Sequence, residues 1–268
     1  MARSCNRLLW LLACLACLTW LAPQARAQEA APAPQSTPPA SLRWSLGLRL
    51  KMEDMAHPGD LTPRPMIGLR YGRWRTGPVD GAIWHRFGQI RTDNTLTYDW
   101  LDSARWRTSL SASIVNLQKD SPTEVLESGR KTLRGRATID YMGWSHWSVG
   151  LVLTQDLLGR GAGTALSPNI TYRQALTEDS TLLLSQSLTW ATAEMWRTAQ
   201  QLSPQSVVHQ GQGWGSADSS VTLRQRWKPQ WSWYAQMNHS RAIGPVYPVT
   251  ETERSRWSAQ AGVIYFSH

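Results

Sequence analysis

Apolar and polar residues alternate along most of this chain. Between positions 42 and 52, Leu42, Trp44, Leu46, Leu48, Leu50 and Met52 stand against Arg43, Ser45, Gly47, Arg49 and Lys51 without an exception. Side chains of a strand point to opposite faces in turn, so a period of two predicts a strand with one apolar face. The same pattern predicts strands at 66–74 (Ile67, Leu69, Tyr71), 95–101 (Leu96, Tyr98, Trp100), 105–117 (Trp106, Leu110, Ala112, Ile114) and 131–142 (Leu133, Ala137, Ile139, Tyr141). Trp147, Val149, Leu151 and Leu153 open a further strand, and Leu166, Ile170 and Tyr172 carry its partner. Later runs follow Leu182, Leu184, Leu188 and Trp190, then Val221, Leu223 and Trp227, then Trp231, Trp233, Ala235 and Met237, and finally Trp257, Ala259, Ala261, Val263 and Tyr265. An ambiguous run at 82–90 brings the count to about twelve strands. Their lengths are near those a tilted strand needs to cross a bilayer.

The connections sharpen the reading. Those at 53–65, 118–130, 158–164, 192–216 and 242–255 are longer than those at 75–80, 102–104, 143–144, 176–179 and 228–230, and the two kinds alternate, with one exception at 91–94. Bacterial outer-membrane barrels have short periplasmic turns, long external loops, an even strand count and both ends inside. A soluble sandwich has no reason to alternate in this way. The expected fold is therefore an all-β, transmembrane antiparallel barrel. The seventh connection, Gly159-Arg160-Gly161-Ala162-Gly163, then becomes an external turn, with glycines supplying positive φ. As a phosphate loop it lacks the strand-to-helix setting and the Lys-Ser/Thr ending.

The N-terminus agrees with this destination. Arg3 and Arg7 precede an uncharged apolar run from Leu8 to Ala22, and Ala25-Arg26-Ala27 offers small residues at a cut before Gln28, the layout of a secretory signal peptide over 1–27. Cys5, Cys14 and Cys17 all fall inside it, so no disulfide or thiol chemistry is expected in the mature chain. The Ala- and Pro-rich segment 28–41, with Pro32, Pro34, Pro38 and Pro39, reads as an extended periplasmic leader, and 42–268 as the barrel. Mean hydropathy is −0.39, which would suggest a soluble protein. That inference fails for barrels, where lumen-facing polar residues cancel lipid-facing apolar ones.

Tryptophan and arginine assign the two faces. The chain has 16 Trp against 2 Phe. Trp44, Trp100, Trp106, Trp147, Trp190, Trp227, Trp231 and Trp257 lie near strand ends and predict the aromatic girdle of the headgroup boundary. On the polar parity stand Arg43, Arg49, Lys51, Arg70, Arg105, Arg107, Arg134, Arg136, Arg173, Arg224 and Arg226, against Asp99, Asp140, Asp156 and Asp218. Charge in hydrocarbon is costly, so these residues are expected to line the lumen, where rings of Arg favour anions and Arg–Asp contacts can plug a narrow barrel. The formal charge of +9 includes three basic residues of the signal segment. Export leaves outer-membrane lipid and lipopolysaccharide, rather than nucleic acid, as its natural partners.

Several segments resemble the MipA/OmpV outer-membrane proteins. They are Arg64-Pro65-Met66-Ile67-Gly68-Leu69-Arg70-Tyr71 with the Trp- and Gly-bearing stretch to Phe87, Gln155-Asp156 with Gly159 to Gly163, Ser240-Arg241-Ala242-Ile243-Gly244 with Pro248-Val249, and the closing Tyr265-Phe266. The chain departs from the pattern where Met195-Trp196-Arg197-Thr198-Ala199-Gln200 replaces a Tyr-rich segment, and where it ends at His268 beyond the aromatic. The resemblance implies an outer-membrane barrel in a Gram-negative envelope. It also implies a scaffold that joins a murein lytic transglycosylase to a bifunctional penicillin-binding protein.

Catalytic chemistry finds little footing. His239-Ser240, with Glu251 or Glu253, is the one local candidate for acyl-ester hydrolysis, but neighbours on a strand face opposite sides. His57, His85, His146 and His209 show no metal-ligand spacing. A non-enzymatic barrel without cofactor or metal is expected, either a docking protein for murein-remodelling enzymes or a narrow, anion-preferring pore.

Overall fold

A computed structural model describes residues 41–52, 55, 61–78, 95–116, 131–199, 211–244 and 255–267. They form twelve strands: β1 (Leu42–Met52), β2 (Leu61–Tyr71), β3 (Trp74–Thr76), β4 (Leu96–Asp102), β5 (Trp106–Asn116), β6 (Lys131–Tyr141), β7 (Trp147–Asp156), β8 (Thr164–Ala175), β9 (Ser180–Ala191), β10 (Gly213–Lys228), β11 (Trp231–Ala242) and β12 (Ser255–Phe266). A short helix, α1 (Ala193–Ala199), follows β9. Each strand pairs antiparallel with its sequence neighbours, and β1 pairs β12 from Ser45↔Phe266 to Met52↔Ala259, so the sheet closes into a barrel. Closure removes the edges that hydrocarbon cannot satisfy.

Two details differ from the sequence reading. The second and third strands lie earlier than expected. β2 begins at Leu61, and a turn at Gly72-Arg73, with Gly72 at φ 58°, returns the chain at Trp74. The expected strand at 82–90 falls outside the described residues. With the third strand at Trp74–Thr76, the exception in loop length disappears. The strand ends that precede and follow 53–60, 77–95, 117–130, 157–163, 192–212 and 243–254 lie at one mouth, and the shorter connections at 72–73, 103–105, 142–146, 176–179 and 229–230 lie at the other, beside the start of β1 and the end of β12.

The alternation decides the facing. Leu46, Leu48, Ile67, Leu110, Ile114, Leu151, Leu184 and Val263 are exposed on the outer wall, which is the lipid side of such a barrel. Inward positions are small, polar or charged over most of the circumference, with Ser45, Thr97, Thr138, Thr171, Thr222 and Ser232 buried. Leu183 of β9 departs from this, and so does the seam. There Met66 of β2, Tyr234 of β11 and Ile264 and Phe266 of β12 pack together inside the lumen, with the Tyr234 hydroxyl 3.7 Å from the Met66 sulfur. Glycines make the room. A Cβ on Gly47 would lie 3.0 Å from Met66 Cε, and one on Gly262 would lie 2.7 Å from Tyr234 Cε1.

Proline placement follows the same logic. Pro63 and Pro65 share a parity on β2, so their missing N–H donors belong to one edge of that strand. The β1 edge is laddered throughout, from Leu42↔Tyr71 to Met52↔Leu61. The other edge meets β3 only from Leu69 to Tyr71 among the described residues, which is where proline is tolerated.

A closed membrane barrel of this kind should migrate faster unheated than boiled on a detergent gel. Gly262→Val drives a side chain into Tyr234, an overpacking that costs about 1–3 kcal/mol. The heat-induced mobility shift should therefore occur at lower temperature in that variant. A wild-type chain whose mobility ignores heating would contradict the fold, and an unchanged midpoint in the variant would contradict the seam packing.

Candidate functional site

Side chains from four successive strands meet inside the barrel beside the short-turn mouth. Asp99 of β4 is 2% exposed. Arg107 of β5 approaches it at 3.0 Å, Arg75 of β3 at 3.1 Å and Arg70 of β2 at 4.0 Å, and Arg70 also lies 3.9 Å from Asp102. A buried carboxylate is tolerated when charge-assisted hydrogen bonds replace its water, and here guanidinium groups supply them. The cluster ties β2 to β5 across the short strands β3 and β4. Alternation alone leaves Arg75 in a connection, whereas the structure places it on β3. Arg64, opposite Arg49 in the ladder, is hidden from the alternation because β2 begins at Leu61, ahead of Pro63 and Pro65.

The remaining basic positions spread along the inner wall. Arg43 sits opposite Arg70 at the short-turn mouth. Arg49 donates to Gln260 at 3.3 Å. Arg134 and Arg136 stand two positions apart on β6, opposite Asp156 and Thr154 of β7. Arg173 reaches the Ser145 carbonyl at 3.5 Å, and Arg226 meets Asp179 at 2.6 Å at the rim. Arg224 is fully buried, paired in register with Tyr234 and so next to the seam cluster. Arg105, expected on an inward strand position, instead lies exposed in the 103–105 turn, one residue before β5 begins.

The long-loop mouth is narrowed by the glycine turn and α1. The turn is held by Asp156, whose carboxylate accepts from the Thr132 hydroxyl, from Leu158 N at 3.2 Å and from Ala162 N at 2.9 Å. Gly159, Gly161 and Gly163 adopt φ of 64°, 95° and 65°, and Arg160 donates to the Lys131 carbonyl at 2.6 Å. Gly163 lies so close to α1 that a Cβ would come within 2.5 Å of Met195 N. α1 then buries Met195 and Trp196 against the inward-facing Ala165, Ala191 and Ala242, while the Trp196 indole donates to Gly213 O at 3.2 Å. The segment that departs from the family pattern is thus a helix packed on the inner wall, which strand periodicity does not announce. Nearer the short-turn end, β3 stops at Thr76 because Gly77, at φ +64°, lies against the backbone of Ile67 and Gly68. This carries the chain over the inner face of β2, where the Ser45 hydroxyl of β1 donates to Pro78 O.

The short-turn rim carries most of the aromatic residues. Trp44 stacks on Tyr265 at 5.3 Å, Trp74 on Tyr98 at 4.9 Å, Trp106 on Tyr141 at 4.6 Å and Trp147 on Tyr172 at 4.9 Å, with Trp231 also at 5.3 Å from Tyr265. Trp100 and Trp227 are exposed at the same rim. Trp190 and Trp257 sit instead towards the long-loop end, Trp190 paired with Trp214 and Trp257 stacked on His239 at 4.4 Å. Between the turns of the short rim opens a cleft of ≈ 80 Å³ lined by Trp144, Ser145, His146, Thr171, Arg173 and Leu183. Around it the rim is basic, with Arg43, Arg73, Arg105, Arg226 and Lys228 exposed beside Asp102, Glu178 and Asp179.

Catalytic groups do not assemble. His239 faces outward and Ser240 inward, as strand parity requires. His239 Nε2 instead lies 2.7 Å from Ser255 Oγ. Among the described residues no carboxylate orients its other nitrogen and no paired donors face the serine, so the triad arrangement is missing there. No group of three metal-ligating side chains forms among the described residues either.

Comparison with known proteins follows from this geometry. The chain is similar to the KdgM porin in complex with disordered oligogalacturonate (14% identity, TM-score 0.45, covering 84% of this chain and 99% of that one). It is also similar to OmpT, an outer membrane protein of Vibrio cholerae (8%, 0.41, 85% and 97%), and to the NanC porin (12%, 0.40, 84% and 99%). A comparison with curated sequences gives no match. The family model described as MltA-interacting protein MipA matches residues 47–266, from β1 to the last residue of β12, and the chain belongs to that family.

Proposed function

We propose that this outer-membrane β-barrel of the MipA family is a non-enzymatic docking protein for murein-remodelling enzymes, with its short-turn rim as the docking face. The observation that carries the reading is the family match over residues 47–266, since the family description names an interaction with MltA. A murein lytic transglycosylase is then the expected partner, and a penicillin-binding protein a second one. Short turns face the periplasm in such barrels, so the basic rim and its cleft point towards the murein. Exposed Arg105 and Lys228 favour an acidic surface on the partner. The packed seam and the inward helix also favour docking over transport, because both occupy the lumen.

A second reading rests on the inner wall. Arg49, Arg134, Arg136 and Arg224 line a lumen poorer in acids, and rings of arginine favour anions. This reading makes the barrel a narrow, anion-preferring pore.

Crosslinked envelopes should yield a lytic transglycosylase with the barrel, and Arg105→Glu combined with Lys228→Glu should lower its recovery several-fold. Purification of the barrel with no murein enzyme enriched would overturn the docking reading. In planar bilayers the second reading requires anion-selective conductance that falls when Arg134 and Arg136 become Ala. A silent membrane would end it.

A further inference from the structure

On the β9 to β12 side the outer wall carries a row that breaks its apolar pattern. Gln186 of β9, Ser219 of β10, His239 of β11 and Trp257 of β12 are direct register partners, all outward by parity. Ser219 donates to Gln186 Oε1 at 2.6 Å, and His239 stacks on Trp257 at 4.4 Å. Two positions above His239 on the same face, Arg241 is exposed, opposite Ser255, whose hydroxyl lies 2.7 Å from His239 Nε2. Below them on β11 the outward residues are Trp231, Trp233, Ala235 and Met237. The row thus runs from mid-wall to the long-loop rim and ends on a cation.

From this placement we infer that Arg241, His239 and Ser255, with Trp257 as the platform at their base, bind the phosphorylated head group of a glycolipid in the outer leaflet. Three observations converge on that chemistry. Arginine on a lipid-facing wall is tolerated only near the headgroup level, and Arg241 is one residue from the end of β11. Tryptophan marks that level. The long-loop mouth is the external one, where the outer leaflet presents lipopolysaccharide phosphates, and a guanidinium forks onto a phosphate better than any other side chain. His239 is fixed by Ser255 and Trp257, so it meets the ligand with little freedom left to lose. The inference is independent of docking at the opposite rim.

The test uses the full barrel in detergent micelles and lipid A carrying both phosphates. Wild-type protein should bind it, and removal of the phosphates from the lipid should weaken binding. Arg241→Ala should weaken it about fivefold, the worth of one basic residue at an anionic surface. Arg241→Lys should retain most of the binding, and Gln225→Ala, on the outer wall near the other rim, should change nothing. Heat-dependent gel mobility confirms that each variant is folded. Equal binding of phosphorylated and dephosphorylated lipid A, or full binding by Arg241→Ala, would overturn the inference. So would a lipid-free dimer that His239→Ala dissolves, because the row would then be an interface between two copies.

Discussion

Backbone hydrogen bonding in hydrocarbon governs this structure. A peptide group has no water to turn to inside a bilayer, so the ladder must return to its own beginning. The pairing of Ser45 through Met52 with Phe266 through Ala259 is that return. Much else follows from having to make it. The seam is where Met66, Tyr234, Ile264 and Phe266 fill the inside, where Gly47 and Gly262 yield space, and where β2 meets β11 and β12 through side chains across β1.

Filling a narrow barrel is the second demand, and the chain meets it by different means around the circumference. The seam uses apolar packing. The β2 to β5 wall uses Asp99 with Arg70, Arg75 and Arg107. Elsewhere the peptide chain itself is used, as Gly77-Pro78 nearer the short-turn end and as α1 at the long-loop mouth. A polar lumen therefore does not amount to an open one, which is why the docking reading and the pore reading weigh the same arginines differently.

Much of this was legible in the sequence because the barrel obeys a period of two. Strands such as β1 and β6 appear in the alternation within a residue or so of their observed ends. β2 and β3 do not, for a physical reason. Pro63 and Pro65 signal a loop in most settings, yet β2 accepts them on an edge that is largely unpaired among the described residues. The turn at Gly72-Arg73 is two residues long and leaves no polar gap to mark it. Arg64 and Arg75 were missed with those boundaries. α1 is one or two turns long and is held by Met195 and Trp196, residues whose role depends on alanines far away in sequence. Parity also placed His239 and Ser240 on opposite faces, but only register could bring Ser255 to the histidine.

The uneven aromatic girdle has a mechanical consequence. Stacked Trp–Tyr pairs occupy the short-turn rim on many strands, whereas among the described residues the opposite end has Trp190, Trp214 and Trp257 on the β9 to β12 side. Interfacial aromatics resist vertical displacement, so this barrel is moored from the periplasmic leaflet. Its depth is set there, and a membrane that thickens or thins is accommodated at the far rim.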